Sequence, residues 1–175
     1  MNVDRVPRAS AGRADASQSV VAEAADTLFG EFFRLNHART VRLAHLLTGS
    51  ASAADDLAQE SLARMHSRLA DAENPTAYLN GITVNVCRQW HRGRARERDL
   101  LERLDPPEAV PPPEIAEILD LVDALPYRQR AVLVLRYWLG LRETEIAPLL
   151  LDCRPGTVRT LHFRALARLR KELNS

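Results

Sequence analysis

Five of the chain's ten prolines stand between Pro106 and Pro113, in the run DPPEAVPPPE. Proline lacks a backbone N–H and fixes φ, so neither a helix nor a central strand passes through such a run, and an extended, semi-rigid connector is favoured. The run therefore divides the chain of 175 residues into two parts. Each is large enough to close a modest core of its own. The predicted fold class is all-α: two small helical domains joined by an acidic, Pro-rich linker, the C-terminal one a helix-turn-helix. The expected boundaries are a disordered tail over 1–24, a first domain over 25–99, the linker over 100–114 and a second domain over 115–175.

Composition agrees with helices. Hydrophobic residues make up 46% and aromatics only 5%, with Ala and Leu dominating the apolar set, and both are strong helix formers. No apolar run is long enough to span a bilayer, and the N-terminus MNVDRVPRASAGRADASQ has no signal-peptide core, so a cytoplasmic protein without a membrane partner is expected. Cys87 and Cys153 are too few for a disulfide framework and are read as reduced thiols. Cys87 and His91 lie four apart on a predicted helix, but two ligands do not make a zinc site. No metal, no other cofactor and no catalytic constellation is expected, since clustered nucleophiles and glycine-rich phosphate loops are both missing from the sequence.

The net charge of +1 conceals three zones of alternating sign. Arg88, Arg92, Arg94, Arg96 and Arg98 face only Glu97. From 99 to 123 the balance reverses, with Asp99, Glu102, Asp105, Glu108, Glu114, Glu117, Asp120 and Asp123 against Arg103 alone. Beyond 153 it reverses again, with Arg154, Arg159, Arg164, Arg168, Arg170 and Lys171 against Glu172. Two basic modules flank an acidic joint.

Apolar spacing predicts a helix from Thr27 to Leu47, stopped by Thr48-Gly49-Ser50, and another from near Ser52. In the second, Ala54, Leu57, Ser61, Met65 and Leu69 form one stripe, with Asp56, Gln59 and Glu60 on another side. Pro75 suits the first turn of a third helix. There Tyr78, Leu79, Ile82, Val86 and Trp90 share an apolar arc, and Asn85, Arg88 and Arg92 lie on the far side. After the linker, helices are expected near 114–124, 127–139, 143–151 and 155–172, with AVLVLRYW the all-round apolar middle helix of a small bundle. The last segment reads as a short helix, a turn and a basic helix, the layout of a helix-turn-helix. On its final helix Val158, His162, Ala165, Leu166 and Leu169 face inward, His162 as a packed core histidine. Arg159, Thr160, Phe163 and Arg164 face outward, where arginine can bond guanine or phosphate and Phe can meet a thymine methyl.

Three segments together carry a specific resemblance. LLTGSASAADDLAQESLARM, NPTAYLNGITVNVCRQWHRGRARER, and LPYRQRAVLVLRYWLGLRETEIA with RPGTVRTLHFRALARLR occur in that order between about Leu28 and Leu173. In that order they resemble the extracytoplasmic-function group of sigma factors, in particular its actinobacterial SigE-like members. The resemblance implies a non-enzymatic factor that binds core RNA polymerase and directs promoter recognition. Asp55, Asp56, Gln59 and Glu60 would dock on the largest polymerase subunit, and the helix-turn-helix domain would rest on the second-largest. Tyr78, Asn80, Asn85, Arg88, Gln89 and Arg92 would approach the minus-ten element as duplex and as non-template single strand. Arg154, Thr157, Arg159, Thr160, Phe163, Arg164 and Arg168 would bind the minus-thirty-five element of double-stranded promoter DNA. An anti-sigma factor is a further implied partner. The competing expectation is a helix-turn-helix regulator that binds an operator without polymerase.

The chain departs from the family pattern at three places. One extra residue lies between Ile146 and Gly156, which the turn must absorb. Pro148 is tolerable close to a first turn capped by Thr144. Asn80 and Gly81 stand where relatives often carry basic residues, which weakens the expected minus-ten set.

Overall fold

The computed structural model describes the backbone of residues 11–100, 120–150 and 153–174, and side chains from 26 to 94 and throughout the two later segments. The linker and the expected helix start at 114 lie outside the described residues; the backbone is helical at 120–123. Among the described residues there is no strand. The elements are α1 (Ala11–Thr48), α2 (Ala51–His66), a 3-10 turn (Leu69–Asp71), α3 (Pro75–Leu100), α4 (Tyr127–Leu133) continued by a π turn (Val134–Trp138), α5 (Glu143–Leu149) and α6 (Pro155–Leu173). The chain divides into two compact units, Met1–Asn36 and His37–Ser175.

In the first unit the backbone is helical from Ala11, through residues that the sequence reading leaves as a disordered tail. Local propensity supplies the reason: alanines at 11, 14, 16, 22, 24 and 25 are the best helix formers, and between Gly12 and Gly30 neither Pro nor Gly interrupts them. Nearer its end, Phe29 and Phe33 stack edge-to-face one turn apart, with ring centroids 6.1 Å apart. The Asn36 amide donates to the Phe32 carbonyl at 2.9 Å.

The second unit opens with the end of α1, where Gly49 adopts φ +70° and donates its N–H to the His45 carbonyl at 2.8 Å. A left-handed residue there lets the chain reverse at once. Ser50 then caps α2, its hydroxyl accepting from the Ala53 N–H at 3.3 Å. The stripe of α2 is buried as its spacing predicts, with Ala54, Leu57, Ser61 and Met65 inside and Leu69 buried in the 3-10 turn. The Asn74 side chain accepts from the Ala77 N–H at 3.0 Å, and Pro75 opens α3, where its missing donor costs nothing.

The helices on either side of the proline run share one interior. Leu43, Leu47, Leu57, Val84, Val86 and Cys87 from the first half form a single buried cluster with Ala131, Val132, Leu135, Ile146 and Val158 from the second. Arg130 fastens this junction. Its side chain is 6% exposed, and its guanidinium donates to the carbonyls of Val122, Leu47 and Asp123 and pairs with the Asp123 carboxylate at 3.4 Å. A buried guanidinium is tolerable only when carbonyls and a carboxylate replace its water in this way.

The run AVLVLRYW is buried only at its start. Ala131 to Leu135 are inside, whereas Tyr137 is 66% exposed and Trp138 also faces solvent. The π turn is the cause: a wider turn advances each side chain by a smaller angle, so the last residues swing off the buried face. Arg42 lies over the Trp138 ring, 5.7 Å from its centroid.

Candidate nucleic-acid and polymerase interface

The second half builds a helix-turn-helix. Arg142 takes the N-cap position of α5, and Glu145 reaches back to accept from its N–H at 2.8 Å and from its Nε at 3.1 Å. The expected cap at Thr144 is therefore displaced by two residues, because a Glu at the third helical position fits Arg142. Pro148 consequently sits in the second turn, where it removes a donor that the Thr144 carbonyl would have received. The helix ends directly after it, at Leu149. Residues 151 and 152, part of the turn expected to absorb the extra residue, lie outside the described residues.

Helix α6 starts with Arg154 as an extended N-cap and Pro155 in its first turn. Val158 and Ala165 are fully buried, while His162, Leu166 and Leu169 are half-buried. On the opposite side Arg154, Thr157, Arg159, Thr160, Phe163, Arg164 and Arg168 are all exposed. Phe163 is 74% exposed and stands among the arginines of that face. The Thr160 hydroxyl donates to the Gly156 carbonyl at 3.0 Å, leaving its lone pairs outward. His162 is less a core residue than a bridge: its Nε2 lies 3.0 Å from the Tyr137 hydroxyl. Burial, then the charge of Arg136, depress its pKa below the usual imidazole range, so it is neutral at pH 7.

One partner of this surface escaped the sequence reading. Glu143, the first residue of α5, accepts from Arg159 Nε at 3.3 and 3.2 Å and from Nη2 at 2.9 Å. Arg136 stands on its other side, 3.8 Å away. The Arg159 hydrogen bond, followed by the charges of Arg159 and Arg136, holds the Glu143 carboxyl below its ordinary range against partial burial. Sequence offers only the opposite charges as a signal, because the pair meets across a turn and shares no helix face.

On α2, Asp55, Asp56, Gln59 and Glu60 form one exposed acidic patch. The Gln59 amide donates to Asp55 at 2.7 Å, and Glu60 is paired with Arg64 at 2.5 Å. The α3 set is divided. Tyr78, Gln89 and Arg92 are exposed, whereas Asn80, Asn85 and Arg88 are half-buried. Asn85 and Arg88 thus depart from the open far side expected for them, because α4 packs against α3. The Tyr127 hydroxyl bonds the Val84 carbonyl, and the Leu149 side chain of α5 lies 3.4 Å from where a Cβ at Gly81 would stand. Asn85 Oδ1 and Arg88 Nε are buried with no hydrogen-bond partner among the described residues.

An apolar groove of about 330 Å³ lies among Leu46, Val122, Leu133, Tyr137, Trp138 and Leu166. No cluster of His, Cys, Asp and Glu among the described residues could hold a metal ion. No described helix is long and apolar enough to cross a membrane.

An acidic helix face, a basic helix and an exposed helix-turn-helix suit a helical protein that meets nucleic acid. Residues 32–97 match sigma-70 region 2 and residues 113–169 match sigma-70 region 4. The chain is 34% identical over 154 residues to the RNA polymerase sigma-E factor of Streptomyces avermitilis, covering 84% of this chain and 86% of the relative. It is 34% identical over 155 residues to that of Streptomyces coelicolor, covering 83% and 85%. The fold is similar to that of the sigma factor RpoE of Bartonella quintana, solved with the anti-sigma factor NepR, with a TM-score of 0.71 at 22% identity over 83% of this chain and 96% of that one. The chain belongs to the RNA polymerase sigma factors, with the two-region architecture of the extracytoplasmic-function type.

Proposed function

We propose that this sigma factor divides its work among three helices. The acidic face of α2 (Asp55, Asp56, Gln59 and Glu60) docks on the largest subunit of core polymerase. Helix α3 takes the minus-ten element through Tyr78, Asn80, Asn85, Arg88, Gln89 and Arg92. Helix α6 enters the major groove of the minus-thirty-five element with Arg154, Thr157, Arg159, Thr160, Phe163, Arg164 and Arg168. The working domains are 25–99 and 115–175, joined by the linker at 100–114, with the second also resting on the flap of the second-largest subunit. For Asn85 and Arg88 to reach DNA, α4 must move off α3, and their unpartnered buried atoms favour that release.

The observation that carries this reading is the division of α6: Val158 and Ala165 are sealed inside while Phe163 and a row of arginines and threonines face out. The protein acts in the cytoplasm and catalyses nothing itself; strand opening draws on binding energy, since extruding a base costs only a few kcal/mol. An anti-sigma protein is proposed as a partner, in keeping with the complex in which the Bartonella factor was captured. The test is pull-down of core polymerase by the purified chain, followed by run-off transcription on genomic fragments. Association and discrete start sites are expected. Operator-like DNA binding without any association with polymerase would overturn the reading in favour of a free-standing regulator.

A further inference from the structure

Glu143 and Arg159 are unequal partners. The carboxylate side chain is 20% exposed and the guanidinium side chain 76%. Arg136 stands against the carboxylate from the other side at 3.8 Å. An ion pair between two loose surface chains fixes little, but here the acid is rooted at the first position of α5, and the arginine alone projects from the recognition helix.

The donor count shows what this leaves available. A guanidinium carries five N–H groups. Its side edge, Nε–H and one Nη2–H, is bonded to Glu143. Its end edge, one Nη1–H and the second Nη2–H, makes no other hydrogen bond among the described residues, and neither does the remaining Nη1–H. A two-pronged end of this kind matches O6 and N7 of guanine in the major groove. Arg159 stands on the N-terminal half of α6, the part of a recognition helix that meets base edges. A clamp on phosphate is the weaker alternative, because a carboxylate at hydrogen-bond distance repels the phosphate and cancels the charge on which such a clamp depends.

We infer that Glu143 is a positioning residue for base readout, holding Arg159 by one edge so that its free end reads a guanine in the element bound by α6. The inference rests on the proposal that α6 enters promoter DNA.

The test uses core polymerase loaded with the full chain as wild type, Glu143→Ala, Glu143→Gln, Arg159→Ala and the Glu143→Ala/Arg159→Ala double variant. Each holoenzyme selects from duplexes randomised across the upstream element, and base frequencies are read position by position. Wild type should select guanine at one position, and Arg159→Ala should lose that preference. Glu143→Ala should weaken the preference at the same position about tenfold, leave other positions and the thermal midpoint unchanged, and add nothing in the double variant. Glu143→Gln, which keeps one acceptor, should fall between. An unchanged guanine preference in Glu143→Ala overturns the inference, as does tighter binding to all sequences alike, the sign of a carboxylate that only competes with phosphate. If wild-type holoenzyme enriches no upstream sequence, the placement of α6 on the promoter has failed, and this inference with it.

Discussion

The Tyr127 hydroxyl donates a hydrogen bond of 3.1 Å to the main-chain carbonyl of Val84, joining α4 to the middle of α3. The Tyr127 ring also packs on His91, with centroids 4.5 Å apart, and His91 Nε2 lies 3.0 Å from the Leu47 carbonyl. Tyr127→Phe keeps the ring and removes only the polar bond. A loss of about 1 kcal/mol is expected, read as a fall of about 3 °C in the thermal midpoint, with the helical signal unchanged.

Two glycines share a backbone conformation and differ in surroundings, which separates strain from crowding. Gly49 has φ +70° and a Cβ there would lie 2.8 Å from the Asp123 carboxyl and 2.9 Å from Arg130 Nη1, whereas Gly140 has φ +69° and nothing within 4 Å. Gly140→Ala should lose only the left-handed preference, about 1 kcal/mol. Gly49→Ala should lose that and also displace the pair that anchors α4, for about 2–3 kcal/mol altogether. Urea midpoints of the two variants give the comparison, and equal losses would show that the Asp123–Arg130 pair yields freely.

Alkali should loosen the interior. Burial, opposed by a backbone hydrogen bond and assisted by the charge of Glu60, pushes the Cys87 thiol from 9.0 up to about 12. Burial likewise raises Tyr127 above its ordinary 10.0, with Cys87 adding to the effect and Arg88 and Arg130 opposing it. Both groups are neutral when protonated, and the folded state holds these protons more tightly than the unfolded chain. Their contribution to stability is complete below pH about 9 and is lost as the pH climbs through the unfolded values toward the folded ones. Each such proton gives a slope of about 1.4 kcal/mol per pH unit. Cys87→Ala should remove the thiol's share, so its denaturation midpoints between pH about 9 and about 12 should fall less steeply than those of wild type.

The acidic face of α2 allows a prediction about binding alone. Asp56 is fully outside the buried stripe, and exposed substitutions there should stay within about 0.5 kcal/mol in stability. Under the proposed docking of α2, Asp56→Arg should nevertheless weaken association with core polymerase at least tenfold, because it reverses the charge that this face presents to its partner. Titration of labelled chain with core polymerase measures the change, and unaltered affinity would remove α2 from the interface.

The pieces that were legible in the sequence are those governed by neighbours along the chain. The stripe from Ala54 to Leu69 follows from helical spacing, the start of α3 from Asn74-Pro75, and the two faces of α6 from the alternation of Val158 and Ala165 with arginines and Phe163. The illegible parts arise where distant segments meet. Nothing in the local pattern of VRTLHFR announces Glu143 as the partner of Arg159, and no periodicity says that Asn85 and Arg88 lie where α4 lands. The proline run suggested two separate cores, yet Val84 and Val132 occupy one, since covalent stiffness between two segments does not prevent their apolar faces from meeting. The π turn was equally invisible, because AVLVLRYW carries the composition of a buried helix throughout and only the wider turn sets Tyr137 and Trp138 outside.

Val84, Cys87, Ala131 and Ile146 keep one another dry across the junction of α3 with α4 and α5. Parting these helices would hydrate that apolar surface, and hydration of apolar groups carries a positive heat-capacity increment. The grip between the halves therefore slackens on cooling and firms on warming across the ordinary growth range. On the proposed placement of α3 and α6 along a promoter, temperature would bear on how readily the two halves part to reach it.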